Sequence, residues 1–240
     1  MAKVVFGPIV SDARNKVGGI VFSKSRSGAF VRKKVSPTQP RTTAQRAVRA
    51  NFAATSKAWS GTLNAADRAT FTALAANITH KDKLGQSHTP TGAQLYMELT
   101  RNLHTVGVAP LTTAPQSLSV SDLGGLTLTE VTSPDSPYAG AGLHITPTNN
   151  PQVGEALVIT AAAPEAAGRN FVGKSKYRVI GTLAKWPTSP ATTFPLDITG
   201  MYQDKFGAIM PGQTIHVQLN NVNTDNGAAG KPYPATITIS

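Results

Sequence analysis

From about Pro110 onward, the sequence consists of short runs in which apolar and polar residues alternate. A strand with one buried face has this period of two, and the clusters TNNPQ and NTDNGAAG between runs are typical of turns. The regular spacing predicts an antiparallel β-sandwich. The runs predicted as strands are QSLSVS, LTLTEV, GLHITP, ALVIT, KYRVIG, TTFPLDIT, TIHVQL and ATITIS.

The N-terminal end of the sequence predicts an extended β-arm. Two apolar runs, VGGIVFS and GAFVRKKV, are joined by KSRSG, in which Ser27 and Gly28 suit a hairpin turn. Gly18 and Gly19 indicate a bulge or the close approach of another backbone. The following segment, SPTQPRTT, is predicted to be an extended linker because of its two prolines.

Between the arm and the strands, the periodicity changes to that of helices. Thr42 or Thr43 is expected to cap the first helix, and Asn64 the second. The third helix should end near Gly107. The positions predicted to form apolar helix faces are Ala44, Val48, Phe52, Thr55 and Trp59 in the first helix, Phe71 and Leu74 in the second, and Leu95, Leu99 and Leu103 in the third.

These patterns predict an α+β chain of several domains. We expect an arm and linker at 1–40, a small helical domain at 41–109 and an all-β sandwich at 110–240. There is no cysteine in the chain, which excludes disulfides and thiolate chemistry. We find no signal peptide and no apolar run long enough to cross a membrane, so we expect a soluble protein made in the cytoplasm of its host.

The positive charge is concentrated at the N-terminal end. The first fifty residues contain 11 basic residues and one acid, Asp12, a net charge of +10. From Asn102 onward there are 7 basic and 8 acidic residues, a net charge of −1. The N-terminal segment is therefore expected to attract an acidic partner.

One stretch, Gly168 to Ser175, matches the phosphate-binding pattern G-x-x-x-x-G-K-[ST]. That loop works when a helix begins at it and directs its dipole at the phosphates. Here the following residues, KYRVIG, read as a strand, so we expect a surface loop and no nucleotide. The scattered histidines and acids, and the absence of G-x-S-x-G, predict no metal site, no cofactor and no enzymatic activity.

Two sets of residues are candidates for binding a partner. Basic side chains that could meet phosphates or an acidic subunit are Lys24, Arg26, Arg32, Lys33, Lys34, Arg41, Arg46 and Arg49. Apolar side chains on strands that could pair with another subunit are Val17, Ile20, Phe22, Phe30, Val31, Ile237 and Ile239.

The first 105 residues or so resemble a family of uncharacterised proteins encoded in tailed phages, prophages and bacteria. That family has a glycine-rich hairpin, a Pro-x-x-Pro, Thr, Gln, Arg stretch, a tryptophan and a helix with an arginine. Phe71 stands where a second tryptophan is expected. The matching positions are Gly18, Gly19, Pro37, Pro40, Thr43, Gln45, Arg49, Trp59, Arg68 and Gly92. The segment QTIHVQLNNVNTDNGAAGKPYPATITI resembles the last hairpin of a fibronectin type III or other immunoglobulin-like domain, which implies an Ig/fibronectin III-like sandwich.

Together, these features predict a non-enzymatic structural protein of a phage virion or a similar self-assembling particle. The arm and the strand edges are expected to join copies of the chain or other virion proteins. One alternative is a nucleic-acid-binding or packaging protein that uses the basic arm. A second is a cell-surface or carbohydrate-binding module, for which the available aromatic residues are Tyr138, Trp186, Tyr202 and Tyr233.

Overall fold

The computed structural model describes residues 2–10, 12–25, 28–36, 38–81, 87–132, 141–183 and 194–240. It contains helices and antiparallel sheets, so the predicted α+β class is confirmed. The contacts divide the chain into two compact units, Met1–Val48 and Arg49–Ser240. The boundary lies within the first predicted helix, and from Arg49 onward the predicted helical region and the predicted sandwich fall within one unit.

The first unit contains a single antiparallel sheet, which we call the arm sheet. Its strands are β1 (Ala2–Lys3), β2 (Asn15–Val17), β3 (Ile20–Ser25) and β4 (Gly28–Lys33), in the order β1-β4-β3-β2. The predicted hairpin is confirmed by the full pairing of β3 with β4, from Ile20 opposite Lys33 to Ser25 opposite Gly28. The residues at its tip, 26 and 27, lie outside the described part of the chain.

Gly18 and Gly19 form the turn between β2 and β3, where Val17 pairs with Ile20. Gly18 has a φ of +56°, a conformation that favours glycine. A Cβ added at either glycine would meet nothing within 4 Å. The predicted bulge or close backbone approach is therefore wrong, and the glycines serve a two-residue hairpin turn.

The helices begin where their capping residues predict. The amide of Gln45 donates to Thr42 Oγ1 at 3.3 Å, and that of Asp67 donates to Asn64 Oδ1 at 2.7 Å. A capping box joins Thr91 and Gln94. The helices are α1 (Thr43–Lys57), α2 (Ala65–Ala76) and α3 (Gly92–Thr105), with a π-helical turn at Ala58–Thr62 and the short strands β5 (His80–Lys81) and β6 (Ser87–His88).

A compact aromatic cluster holds α2 and α3 together. Phe71 is fully buried, with its ring centroid 5.2 Å from that of Tyr96 and 6.1 Å from that of Trp59. An aromatic residue at position 71 thus fills the core, as predicted for phenylalanine in place of tryptophan. The other buried members of this cluster are Leu63, Ala75, Leu95 and Leu99.

The C-terminal part of the second unit is a sandwich of two antiparallel sheets. The strands are β7 (Leu126–Thr132), β8 (Ala141–Pro147), β9 (Glu155–Ala161), β10 (Glu165–Ala166), β11 (Arg178–Leu183), β12 (Leu196–Asp197), β13 (Gln213–Asn223) and β14 (Tyr233–Thr238). In one sheet, β13 pairs with β9, β10 and β14, and β9 also pairs with β11. In the other sheet, the order is β12-β8-β7. Their inward side chains share one buried cluster with Leu123, Ile198 and Tyr202.

Two elements differ from the predicted strands. The run QSLSVS forms no strand, and a helix, α4 (Thr199–Phe206), follows β12. The turn into α4 is stabilised by Asp197, whose carboxylate accepts hydrogen bonds from the amide and the hydroxyl of Thr199. The hydroxyl of Tyr202 on α4 donates to the Ala162 carbonyl at 3.1 Å. The sandwich is therefore not all-β.

The outer face of the β9–β13 sheet is covered by the end of α3. Ala156, Val158 and Val222 form a buried cluster with Val106. The side-chain amide of Asn102 on α3 donates a hydrogen bond to the Gly227 carbonyl at 3.0 Å. Strand β9 is consequently buried on both faces, since its alternate residues also point into the sandwich core.

Candidate functional site

The arm sheet has two chemically different faces. Residues directly opposite on antiparallel strands project to the same face, and successive residues alternate. One face, which we call the apolar face, carries Val17, Ile20, Phe22, Ala29 and Val31. The other, the basic face, carries Lys16, Val21, Ser23, Phe30 and Arg32. Four of the five arm residues predicted for assembly thus share one face, whereas Phe30 lies on the other.

None of the described side chains on the apolar face is buried. Val17 is 67% exposed and Ile20 is 47% exposed. No described side chain before Thr55 is buried. Since a sheet normally buries one face against another element, the arm sheet lacks a core of its own.

The first turns of α1 continue this pattern of exposed apolar residues. Val48 and Phe52 are 69% and 62% exposed, whereas Thr55 is buried and Trp59 packs against the aromatic cluster. The predicted apolar stripe exists on the helix. Only its C-terminal end faces a core within this chain.

The predicted basic residues are distributed over the whole segment. Arg32 lies on the basic face, while Lys24 and Lys33 lie at opposite ends of the apolar face, opposite Ala29 and Ile20. Arg26 lies outside the described residues. The remaining ones follow the sheet, in the linker and α1: Lys34, Arg41, Arg46 and Arg49. They are not gathered into one pocket.

An open groove of about 630 Å³ runs along β2 and β3, and we call it the basic groove. Of its three cations, Lys24 is among the basic residues predicted to bind a partner, whereas Arg14 and Lys16 are not. The single acid nearby, Asp12, pairs with Arg14 at 2.9 Å. The groove is lined by Arg14, Asn15, Lys16, Val21, Phe22, Ser23 and Lys24.

The two C-terminal assembly candidates belong to the sandwich itself. Ile239 is 3% exposed, and its amide donates to the Gln213 carbonyl at 2.9 Å. Ile237 is partly buried against the same core. These side chains pack against the interior of their own chain. Because β14 pairs with β13 alone among the described strands, the joining of subunits through this strand edge stays a prediction.

The stretch that matches a phosphate-binding loop is held by side chains around it. No α-helix begins at its lysine: Lys174–Lys176 is one 3-10 turn, and β11 follows. The carboxylate of Glu165 accepts from Lys176 at 2.6 Å and from Arg169 at 3.1 Å. The hydrogen bond from Lys176 holds the pKa of Glu165 below its ordinary value. The helix dipole that this loop needs is missing, as the sequence predicts.

Two histidines that appear only as loop residues in the sequence come together in the fold. His80 and His88 pair across β5 and β6 with ring centroids 5.9 Å apart, and His80 Nε2 lies 3.6 Å from a carboxylate oxygen of Glu98. Within the described ranges, no group of three or more histidines, cysteines or acids is arranged to hold a metal ion. The pairing was not foreseen because it depends on the register of two-residue strands.

The buried carboxylate of Glu155 is surrounded by hydrogen-bond donors of its own chain. It accepts hydrogen bonds from the amide and hydroxyl of Ser121 at 2.7 and 2.6 Å, from the Gln152 amide at 3.1 Å and from Asn221 at 2.8 Å. Burial alone would raise the pKa of Glu155, but these hydrogen bonds outweigh it and lower the pKa. The carboxylate therefore stays charged and ties the segment before β7 to β9 and β13.

The aromatic residues considered for carbohydrate binding form no exposed cluster in the described structure. Tyr202 is fully buried, and burial raises its pKa above the ordinary value of 10. Tyr233 is partly exposed and donates a hydrogen bond to the Asp122 carboxylate. Tyr138 and Trp186 lie outside the described residues.

Comparison with family models, curated proteins and solved structures gave no match to this chain. Among the helices in the described ranges, none is both long and apolar enough to span a bilayer.

Proposed function

We propose that this chain is a non-enzymatic structural subunit of a phage virion or a similar self-assembling particle. Its copies are joined through the N-terminal arm. The observation that supports this proposal is that none of the described side chains before Thr55 is buried, although five apolar side chains lie on one face of the arm sheet. Such a segment gains stability when it is ordered on a partner.

The proposed partner of the apolar face is a second copy of the chain. Two sheets packed face to face would bury the apolar residues of both, as in an ordinary sandwich. Strand addition is a second way to join the arms, because the edge strand β2 pairs on one side alone and all three of its residues are exposed.

The experiment that tests this function compares the full chain with a variant lacking residues 1–35. Multi-angle light scattering at 0.1 and 1 M salt reports the mass of each. We expect a salt-resistant oligomer for the full chain and a folded monomer for the truncated one, because the unit Arg49–Ser240 retains its own core. A truncated protein that still forms the oligomer would contradict the proposed role of the arm.

A further inference from the structure

The cations of the N-terminal segment have almost no acidic partners. Asp12 is the single acid among the first fifty residues, and it is paired with Arg14. Among the described residues of this segment, Lys16, Lys24 and Arg32 make no ion pair or side-chain hydrogen bond. The same is true of Lys33, Lys34, Arg41, Arg46 and Arg49. A segment with this much uncompensated charge attracts anions strongly.

The chain itself cannot neutralise these cations in an assembly. Residues 102–240 carry 7 basic and 8 acidic side chains, a net charge of −1. The intervening segment adds further positive charge, since the net value for the whole chain is +11. Bringing several arms together would therefore concentrate positive charge, and the compensating anion must come from another molecule.

The basic groove provides a concave surface for such an anion. Lys16 and Lys24 are exposed along it, and the side chains of Asn15 and Ser23 supply further hydrogen-bond donors. No carboxylate lines it. On the basic face, Lys16, Val21 and Arg32 form one row across β2, β3 and β4, so that Arg32 extends the positive surface beyond the groove.

The distribution of the cations favours nucleic acid over an acidic protein. They extend from the groove through Lys33 and Lys34 into the linker and α1, so they are spread along the segment and not gathered at one point. Duplex DNA carries about one negative charge per 1.7 Å of its axis, so dispersed cations meet phosphates in any register. An acidic protein surface has separate carboxylates and requires a matched arrangement of cations.

We propose that the basic groove and the basic residues that follow it bind the phosphate backbone of nucleic acid without sequence preference. The groove borders both faces of the sheet, because Lys16 lies on the basic face whereas Phe22 and Lys24 lie on the apolar face. The binding proposed here depends on the charge of the cations and does not require that copies of the chain associate.

The test measures binding of the full-length protein to a labelled 30-base-pair duplex of random sequence by fluorescence anisotropy between 0.05 and 0.3 M salt. The groove variant is Lys16→Glu with Lys24→Glu. The matched control is Lys174→Glu with Lys205→Glu, which changes the net charge equally at two exposed positions of the other unit. Circular dichroism confirms that all three proteins are folded.

We expect the groove variant to bind about a hundredfold more weakly than the wild type at 0.1 M salt. Each lost phosphate contact reduces affinity by roughly tenfold at this salt concentration and lowers the salt slope by about one. The control variant should change affinity by less than about threefold. Equal losses in both variants, or no loss in the groove variant, would overturn the proposal.

A second measurement separates nucleic acid from acidic protein. Poly-glutamate is added as a competitor at the same concentration of negative charge as unlabelled duplex. We expect the duplex to displace the labelled probe at a concentration at least tenfold lower. Equal displacement by poly-glutamate would overturn the assignment to nucleic acid and indicate an acidic protein partner.

Discussion

Gly227 lies directly against the backbone of Leu99, and this contact joins helix α3 to the sandwich. A Cβ at position 227 would be 2.9 Å from the Leu99 carbonyl oxygen and 3.0 Å from the Leu99 Cβ. Gly227 also has a φ of +74°. Both the close approach and the backbone conformation require glycine. The helices and the sandwich are therefore held in one unit by a backbone contact.

Replacing Gly227 with alanine should destabilise the protein by about 2–5 kcal/mol. About 1–2 kcal/mol comes from the positive φ, and about 1–3 kcal/mol from overpacking against Leu99. The matched control is Gly168→Ala, with a φ of +86° and nothing within 4 Å of the added Cβ. Urea unfolding of both variants measures the difference. Equal destabilisation would show that the Leu99 contact contributes nothing.

A similar close contact fixes the start of α3 on α2. A Cβ at Gly92 would lie 2.8 Å from the Thr72 amide nitrogen. We expect Gly92→Ala to lower the free energy of unfolding by about 1–3 kcal/mol, because backbone atoms have to move. Gly61→Ala, where the added Cβ meets nothing within 4 Å, is the control in the same urea titration. A Gly92→Ala variant as stable as this control would contradict the expectation.

Much of the helical region could be predicted from the sequence because its determinants are local. Thr42 and Asn64 cap helices at the predicted positions, and Leu95, Leu99 and Leu103 face a core as their spacing indicates. Helix α4 was missed because it is short and follows a segment with the alternation of a strand. Tertiary contacts, including the hydrogen bond of Tyr202, decide its conformation.

The candidate site was only partly predictable, for a related reason. The basic residues and the hairpin are visible in the sequence. Which face each side chain occupies depends on the register of β2, β3 and β4, and the turn at Gly18 and Gly19 sets only the register between β2 and β3. The residues around Ile239 alternate between apolar and polar, as in an edge strand with one exposed face. The side chain of Ile239 nevertheless lies in the core, which the alternation alone does not show.

The charge of Glu155 should make the stability of the protein depend on pH. The pKa of Glu155 is lowered in the folded state. The contribution of its charge to the free energy of unfolding is therefore complete above the ordinary pKa of about 4.5, and it is lost as the pH falls through the lower pKa of the folded state. At pH 7, Glu155→Gln should cost about 1–3 kcal/mol, since a charged acceptor of four hydrogen bonds is removed.

Urea titrations of the wild type and of Glu155→Gln from pH 3 to 7 measure this effect. The difference between the two proteins should shrink at low pH, where the carboxyl group becomes protonated. Glu130→Gln, which changes a partly exposed carboxylate that accepts from Ser240, is the control and should stay within about 0.5 kcal/mol of the wild type. A difference that does not change with pH would mean that the charge of Glu155 is unimportant.

The two faces of the arm sheet allow a direct test of how copies of the chain associate. Phe22 lies on the apolar face and Phe30 on the basic face, and both are partly buried. We expect Phe22→Asp to abolish the oligomer at micromolar concentration, because a carboxylate would be buried without a partner between two apolar faces. Phe30→Asp introduces the same charge and removes the same side chain, and it should leave the oligomer intact.

Sedimentation velocity at several concentrations distinguishes the two variants. Thermal unfolding should be the same for both, because neither residue belongs to the cores of the unit Arg49–Ser240. If Phe30→Asp dissociates the oligomer and Phe22→Asp does not, copies associate through the basic face. If neither variant dissociates it, face-to-face packing is excluded, and the backbone edge of β2 becomes the connection to test.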